Sequence, residues 1–501
     1  MMNMTSPGIT PTPRLSRIRT RHDVAGWWLR GAPVFRRVFG LAAVAGVLSG
    51  CATTARDSTC GLDDATRQRA GALVQAMVQR GHAPGVVLDL RCNGQPWLAT
   101  AAGVATGASG TPGGTSSTSP TSATSATGGQ PRPMKQDDLF RIYSMTKPVT
   151  AVAALLLVDD GRLSIDDPVA KHLPEFAAAT VFAEEKDGKV LTKPLERPLT
   201  VRDLMRHTAG MPYLAPVPHP VYKRYMERGI DNGSGEIHKP ADGSPPIDSA
   251  AELSRRIASI PLLHQPGARH TYGSASDVLG RVVEVVSGQR LGDFMSARLF
   301  KPLGMNDTSF RVGPEVAARM TTAYAAPAQR PQGDGGVLNT QRTADLPPSK
   351  LAPVDPAEAS AFSRPRPMDF GGAGLISTAA DYHRFMSLLA GTGPRLLSRA
   401  SLAEASRNQL DDQALAQSSL APQGLGYGLS LGVVMDPQKA PAPATRGTVF
   451  WGGAASTYFW VDRERGINGV MMTQVFGGDV SPYFVELLNV IYPKPPTASP
   501  R

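Results

Sequence analysis

The chain of 501 residues is long enough for one large domain or two to three ordinary ones, and its 41% hydrophobic and 19% charged residues are typical of a globular protein. Residues 1–50 hold seven arginines against one aspartate, which accounts for +6 of the net charge of +10, and the remaining 45 basic and 41 acidic residues nearly balance. Because no dense basic run follows residue 50, charge-driven nucleic-acid binding is not supported. The sequence also has no Walker-type loop, HExxH or paired CxxC motif, so neither nucleoside-triphosphate nor zinc chemistry is supported.

Residues 1–50 are predicted to be a leader. Two arginines precede an apolar run at 38–47 that is too short to span a bilayer as a helix. The next four residues, LSGC, resemble the lipobox of bacterial lipoproteins, which implies cleavage before Cys51 and lipidation of its thiol. The lipid would anchor the protein to a membrane of the bacterial cell envelope, facing the periplasm, and Ala52 favours the outer membrane by resemblance to enterobacterial sorting. The alternative is a plain secretory signal with a chance cysteine.

The mature chain would then carry two further cysteines, Cys60 and Cys92. In an oxidising envelope they could form a disulfide that ties the end of the tether at 51–60 to the first strand. The alternative is two isolated thiols.

Strands at both ends of the chain with helices between them predict an α+β fold, with an antiparallel sheet closed by distant segments and a helical insert. The segment 106–130 is low-complexity Ser, Thr, Gly and Pro, which predicts a disordered insertion. A hairpin is predicted at 86–105 with its turn at Asn93-Gly94, and further strands between 426 and 477. Apolar spacing and helix-end signals predict helices at 63–81, 144–160, 199–210, 247–259, 274–287, 371–391 and 483–491.

Ser144 and Lys147 form the only S-x-x-K pattern in the chain, at the start of a predicted apolar helix. Residues three apart share a helix face, so the lysine amine can reach the serine hydroxyl. The helix N-terminus favours an alkoxide and an oxyanion, and the apolar helix body would desolvate the amine and make it usable as a base. The alternative is an ordinary N-cap serine with a solvated lysine.

A second candidate nucleophile, Ser430, lies in a G-x-S-x-G pattern that could be the nucleophile elbow of an α/β-hydrolase. That arrangement needs a histidine later in the chain, and the last histidine is His383. The pattern is therefore interpreted as an alternating strand with small residues. Asp381 and His383 are interpreted as capping and packing residues of their helix.

Two further motifs follow Ser144-x-x-Lys147 in order: Tyr272-Gly273-Ser274 at a helix entry and Trp451-Gly452-Gly453 at a strand edge. Together the three motifs resemble the superfamily of serine β-lactamases and penicillin-binding proteins, in particular class C β-lactamases. The resemblance covers about residues 61–491. It implies a β-lactamase/D,D-peptidase-like fold at 61–492, in which a central antiparallel sheet flanked by helices accompanies a mostly helical subdomain at about 161–420, followed by a tail at 493–501.

The resemblance also implies the role of each motif residue. Ser144 would be the acylated nucleophile, and Lys147 and Tyr272 would share its proton as general base and then general acid. The backbone N–H groups of Ser144 and Ala454, which follows Trp451-Gly452-Gly453, would form the oxyanion hole. Ser274 stands where the family often has asparagine and could assist.

The third motif departs from the β-lactamase pattern, which usually has Lys-Thr-Gly there to pair with the substrate carboxylate. Trp451 is neutral, so a substrate carboxylate would lack its partner there, and it would instead form an apolar wall for an acyl or alcohol group. Trp-Gly-Gly at this position resembles the esterases of the same superfamily known as family VIII carboxylesterases. We therefore expect a carboxylesterase that hydrolyses small esters through an acyl-enzyme, without metal or cofactor and with no obligate protein partner evident. The alternatives are a β-lactamase or D,D-peptidase, and a non-catalytic penicillin-binding-like module.

Overall fold

A computed structural model describes residues 60–107, 131–213, 218–230, 238–326, 342–347, 350–477 and 479–492, all within one compact unit. The predicted leader at 1–50, Cys51, the tether up to residue 59 and the tail at 493–501 lie outside the described residues. So does the predicted insertion, apart from its first two residues.

The architecture is α+β, as predicted. The strands are β1 (Gly85–Cys92), β2 (Gln95–Thr106), β3 (Arg132–Pro133), β4 (Phe140–Arg141), β5 (Thr180–Lys186), β6 (Lys189–Pro194), β7 (Ala323–Ala325), β8 (Ala352–Asp355), β9 (Ile376–Ser377), β10 (Leu425–Tyr427), β11 (Gly432–Val434), β12 (Val449–Gly453), β13 (Thr457–Asp462), β14 (Ile467–Met472) and β15 (Val475–Phe476). The helices are α1 (Asp64–Gln79), α2 (Thr146–Asp159), α3 (Val169–His172), α4 (Val201–Met205), α5 (Pro220–Glu227), α6 (Ala250–Ala258), α7 (Ala275–Ser287), α8 (Leu291–Met295), α9 (Lys301–Leu303), α10 (Pro314–Ala317), α11 (Ala379–Ala390), α12 (Arg399–Ser406), α13 (Asp412–Ala416) and α14 (Ser481–Ile491).

Eight strands form the main sheet, in the order β10-β11-β12-β13-β14-β1-β2-β3, and every neighbouring pair is antiparallel. The C-terminal strand β14 pairs with the N-terminal strand β1, so distant segments close the sheet as predicted. The tight hairpin between β1 and β2 turns at Asn93 and Gly94, both with positive φ (48° and 83°), which suits the Asn-Gly pair.

Side chains that alternate along β1 enter two separate cores. Val86, Leu88 and Leu90 pack with α1 and α14 on one face. Val87 belongs to the larger core on the other face, which contains α2, α7 and α11. The apolar character of α2 follows from this burial, because neighbours surround the helix on all sides.

Three predicted elements differ from the structure. The helix predicted at 199–210 is only α4, which a capping box between Thr200 and Asp203 starts and which ends before His207, a residue with φ 56°. The helix predicted from 371 begins at Ala379, because 371–374 is a loop. Residues 428–431 form the turn between β10 and β11 and not a continuous strand. The short strands β5 to β9 also lie within the predicted helical subdomain, whose limits remain a prediction.

Cys60 and Cys92 form a disulfide bond, so the paired alternative is the one that the structure contains. The bond links the chain before α1 to the end of β1. Within the described residues, no helix combines the length and apolar character needed to cross a bilayer.

We expect a Cys60→Ser variant to be less stable than the wild type by about 3 kcal/mol, because the disulfide closes a loop of medium length in the unfolded chain. Differential scanning fluorimetry would record this as a fall in Tm of a few degrees. A Cys51→Ser variant is the matched control and should keep the wild-type Tm. An unchanged Tm for the Cys60→Ser variant would contradict a stabilising role for this bond.

Candidate active site

Ser144 lies in a 3₁₀ turn, Tyr143–Met145, directly before α2. Tyr143 has φ 41°, a left-handed conformation that is strained for a large side chain. Its buried ring makes edge-on contacts with Phe362 and Phe476, at centroid distances of 5.9 and 5.2 Å. The buried tyrosine ring thus anchors the turn that presents the partly exposed Ser144 at the N-terminus of an apolar helix.

Lys147 follows in the first turn of α2, and its side chain is 0% exposed. Its Nζ atom lies 3.1 Å from Ser144 Oγ and donates a hydrogen bond of 2.8 Å to the carbonyl oxygen of Gly372. The structure therefore brings Ser144 and Lys147 together, and it adds a backbone partner for the amine that lies 225 residues further along the chain.

Tyr272 and Trp451 also meet at this site. Tyr272 precedes α7, and its ring centroid lies 4.7 Å from Lys147 Nζ. The indole N–H of Trp451 donates a hydrogen bond of 3.2 Å to the Tyr272 hydroxyl. Because an indole N–H can only donate, the tyrosine oxygen is the acceptor, and its own proton remains available to another group.

Trp451 was expected to form an apolar wall, but its side chain is only 2% exposed. Its ring lies 5.4 Å from that of Tyr272 and 5.1 Å from that of Tyr427. The structure thus places Trp451 behind Tyr272, where it can orient the hydroxyl.

Gly452 and Gly453 end β12 beside the nucleophile turn. A Cβ atom on Gly453 would overlap the carbonyl oxygen of Ile142, two residues before Ser144, so this close approach requires glycine. Ala454, which is exposed, follows directly in the turn between β12 and β13. The two backbone segments predicted to supply the oxyanion hole, at Ser144 and Ala454, are therefore packed against each other.

Ser274, the third residue of the second motif, lies at the start of α7. It occupies the N-cap position of α7, is almost fully buried and makes no capping hydrogen bond. Burial raises the pKa of the Tyr225 hydroxyl, and the nearby Ser274 side chain opposes that rise. An assisting role for Ser274 in proton transfer therefore stays a prediction.

The rival serine, Ser430, and the two polar residues of α11, Asp381 and His383, have structural partners. Ser430 is fully buried, has φ 61° and donates through Oγ to the carbonyl oxygen of Met205 at 3.1 Å. Asp381 accepts a hydrogen bond from the backbone N–H of Asp307 at 2.7 Å, and His383 donates to the carbonyl oxygen of Asp89 at 2.8 Å. Each of these contacts agrees with a capping or packing role.

Two residues of the site were not singled out from the sequence, although both lie in the segment LTVRDLMRHTAGMPY. The ring of Tyr213 lies 4.9 Å from Lys147 Nζ, on a second side of the amine. His207 packs 4.8 Å from the Tyr272 ring and accepts the Gly273 N–H at Nδ1. Burial, together with the charge of Lys147, holds the pKa of His207 well below its usual value, so this histidine stays neutral and supports Tyr272 by packing.

The chain is similar to known proteins in sequence and in fold. The family model for Beta-lactamase matches residues 70–484. Protein Rv1367c of Mycobacterium tuberculosis is 34% identical over 66% of this chain and 76% of its own length. Esterase EstB of Burkholderia gladioli is 32% identical over 72% of this chain and 84% of its own length.

The solved structure of EstCE1, a hydrolase with promiscuous acyltransferase activity, superposes with a TM-score of 0.64 at 25% identity, covering 86% of this chain and 99% of its own. The predicted fold is thereby confirmed. The site geometry, the family match and these relatives together show that the chain belongs to the Beta-lactamase family and is a serine hydrolase.

Proposed function

We propose that the protein is a carboxylesterase that hydrolyses small esters through an acyl-enzyme on Ser144. The observation that carries the proposal is the position of the buried Lys147 amine, which lies 3.1 Å from Ser144 Oγ and against the ring of Tyr272. Nucleophile, base and a second proton-carrying group are thus adjacent at one helix N-terminus.

In the acylation step, Ser144 Oγ attacks the ester carbonyl carbon while its proton moves to Lys147. Gly372 engages one N–H of the Lys147 amine, so the rest of the amine faces the Ser144 hydroxyl and takes up this proton when it carries a lone pair. The oxyanion would accept hydrogen bonds from the backbone N–H groups of Ser144 and Ala454. As the ester bond breaks, the proton passes through the Tyr272 hydroxyl to the leaving alkoxide, which departs as an alcohol.

Deacylation runs the same groups in reverse. A water molecule attacks the acyl carbon, its proton moves to the Lys147–Tyr272 pair, and the bond to Ser144 Oγ breaks. The returned proton restores the serine hydroxyl, and the carboxylic acid leaves.

Ester substrates are favoured over carboxylated β-lactams because the third motif offers no cation. A charged partner for a substrate carboxylate contributes about 1.5–3 kcal/mol, and Trp451 cannot provide it. The esterase relative EstB supports the same choice.

Acyl transfer to an alcohol is a second candidate activity, which the promiscuous acyltransferase activity of EstCE1 favours. It needs no new residue, because an alcohol would replace water in the deacylation step. β-Lactamase or D,D-peptidase activity and a non-catalytic role are the outcomes against which the proposal is tested.

We also propose that a lipid on Cys51 holds the enzyme at the cell envelope, facing the periplasm. The lipobox-like sequence supports this, and the Cys60–Cys92 disulfide suits an oxidising compartment.

Replacing the nucleophile tests the mechanism. We expect Ser144→Ala to lower kcat for p-nitrophenyl butyrate by at least about 10³-fold, because no acyl-enzyme can form. The matched control is Ser430→Gly, which suits the left-handed backbone at that position and should keep kcat within about 3-fold. Full turnover by the Ser144→Ala protein, or inactivity of the control, would contradict the assignment.

The substrate class is tested on the wild-type enzyme. We expect kcat/KM to be at least about 10-fold higher for p-nitrophenyl butyrate than for nitrocefin, because the nitrocefin carboxylate lacks a cationic partner. Faster turnover of nitrocefin would instead support the β-lactamase alternative.

The indole N–H of Trp451 is tested by Trp451→Phe. We expect kcat to fall about 10-fold with little change in KM, because the ring remains while the hydrogen bond that orients Tyr272 is lost. The matched control is Trp460→Phe, which removes a similar indole bond to Tyr492 from another part of the sheet. Equal losses in the two variants would assign the effect to general destabilisation.

The lipid anchor is tested by metabolic labelling with a radioactive or clickable fatty acid in a bacterial host that processes lipoproteins. We expect the wild-type protein to incorporate the label and to fractionate with membranes, and Cys51→Ala to do neither. Labelling of the Cys51→Ala protein would exclude this attachment site.

A further inference from the structure

A line of hydrogen bonds runs from a buried carboxylate to the nucleophile. Asp277 Oδ1 accepts the backbone N–H of Gly372 at 2.8 Å. The carbonyl oxygen of Gly372 accepts a hydrogen bond of 2.8 Å from Lys147 Nζ, which lies 3.1 Å from Ser144 Oγ. None of the roles described above includes Asp277.

Asp277 belongs to a rigid part of the structure, so it can fix the position of a segment that it contacts. Asp277 lies in the first turn of α7, where the helix N-terminus favours a carboxylate. Only 5% of its surface is exposed. Its own backbone N–H bonds the carbonyl oxygen of Ser274. The same helix entry carries Tyr272, so a single rigid element sets both the tyrosine and the carboxylate.

The loop that Asp277 holds is wedged between α2 and α7. Thr150 Oγ1 donates a hydrogen bond of 2.7 Å to the carbonyl oxygen of Gly371. A Cβ atom on Gly371 would overlap the carbonyl oxygen of Ser276 on α7. A Cβ atom on Gly372 would lie 2.8 Å from Asp277 Oδ2, so the loop backbone is in direct contact with the carboxylate.

Lys147 depends on this loop because a lysine amine has no orientation of its own. Its side chain is flexible, and its amine group rotates freely about the terminal C–N bond. A carbonyl oxygen fixed in space engages one N–H and turns the rest of the amine toward Ser144. If the loop shifts, the amine loses its fixed partner while every catalytic residue is still present.

We propose that Asp277 is a positioning residue for acyl-enzyme formation, which acts by fixing the Gly372 backbone so that its carbonyl oxygen aims Lys147 at Ser144. This inference rests on the proposed function, because it assumes that Lys147 is the base. The feature of Asp277 that matters is its accepting oxygen, since the contact to Gly372 is a hydrogen bond to a neutral N–H.

The test compares Asp277→Ala with Asp277→Asn in the full chain. We expect Asp277→Ala to lower kcat for p-nitrophenyl butyrate by about 10- to 100-fold with KM within about 3-fold, because a small displacement of a base is costly and substrate binding is untouched. The rate of labelling of Ser144 by a fluorophosphonate probe should fall by a similar factor. Asparagine keeps an accepting oxygen, so Asp277→Asn should recover kcat to within about 5-fold of the wild type.

Asp381→Ala is the matched control. Asp381 is also a buried carboxylate in the first turn of a helix, α11, and it also accepts a backbone N–H, that of Asp307. We expect this variant to lose thermal stability as Asp277→Ala does, while its folded fraction keeps kcat within about 3-fold. If both alanine variants lose kcat equally, or if Asp277→Ala raises KM instead of lowering kcat, the proposal is wrong. An Asp277→Asn protein as slow as Asp277→Ala would also overturn it, because charge and not the accepting oxygen would then be the requirement.

A second route to the same loop avoids changing the carboxylate. Thr150→Val removes the hydroxyl that holds Gly371 with little change in shape, and we expect a smaller loss of kcat, about 3- to 10-fold, again with constant KM. Unchanged kcat in both Thr150→Val and Asp277→Ala would overturn the role of this loop.

The proposed function is judged separately. An active Ser144→Ala protein would refute the proposed function. An active Asp277→Ala protein beside an inactive Ser144→Ala protein would refute only the role of Asp277.

Discussion

The active-site geometry depends on the buried Lys147 amine, which contacts side chains and backbone from several distant segments of the chain. The amine touches Ser144 Oγ, the Gly372 carbonyl oxygen and the faces of two tyrosine rings, Tyr213 and Tyr272. Those partners come from three separate stretches of the chain besides its own helix, so the amine can reach the serine only when the core between α2 and α7 is fully packed. A flexible side chain gains a defined position in this way, because every direction that it could take is already occupied.

The strand that leads into the nucleophile turn is also held by buried polar contacts. Arg141, three residues before Ser144, is fully buried, and its Nε atom pairs with Asp355 at 2.6 Å. One of its terminal nitrogens, Nη1, donates both to the carbonyl oxygen of Thr321 and to the side-chain oxygen of Gln474. A buried guanidinium that loses its partner costs about 3–5 kcal/mol, so these segments are strongly tied to the strand that leads into the nucleophile turn. The strained backbone of Tyr143 is stable only because such contacts surround it.

The chemistry that we propose depends on how the sheet meets these helices. β12 ends against the nucleophile turn because Gly453 allows backbone-to-backbone contact, and the preceding Trp451 reaches Tyr272 from the same strand. The C-terminal end of β12 therefore contributes both to the proposed oxyanion hole and to the orientation of the proton-carrying tyrosine. In our proposal the neutral, buried indole of Trp451 also favours uncharged ester substrates, because it provides no cation to pair with a substrate carboxylate.

The sequence by itself determined the features that neighbouring residues encode: the Asn93-Gly94 hairpin, the buried α2, the order of the three motifs and the exclusion of Ser430. Most helix and strand positions were predictable for the same reason, since apolar spacing and turn residues act over a few positions. Only the tertiary structure decided that the helix predicted at 199–210 ends at Met205 and that Gly372 is the partner of Lys147. These outcomes depend on contacts between segments up to 225 residues apart. A local sequence pattern cannot predict them, because it does not specify which distant backbone atom will accept a given hydrogen bond.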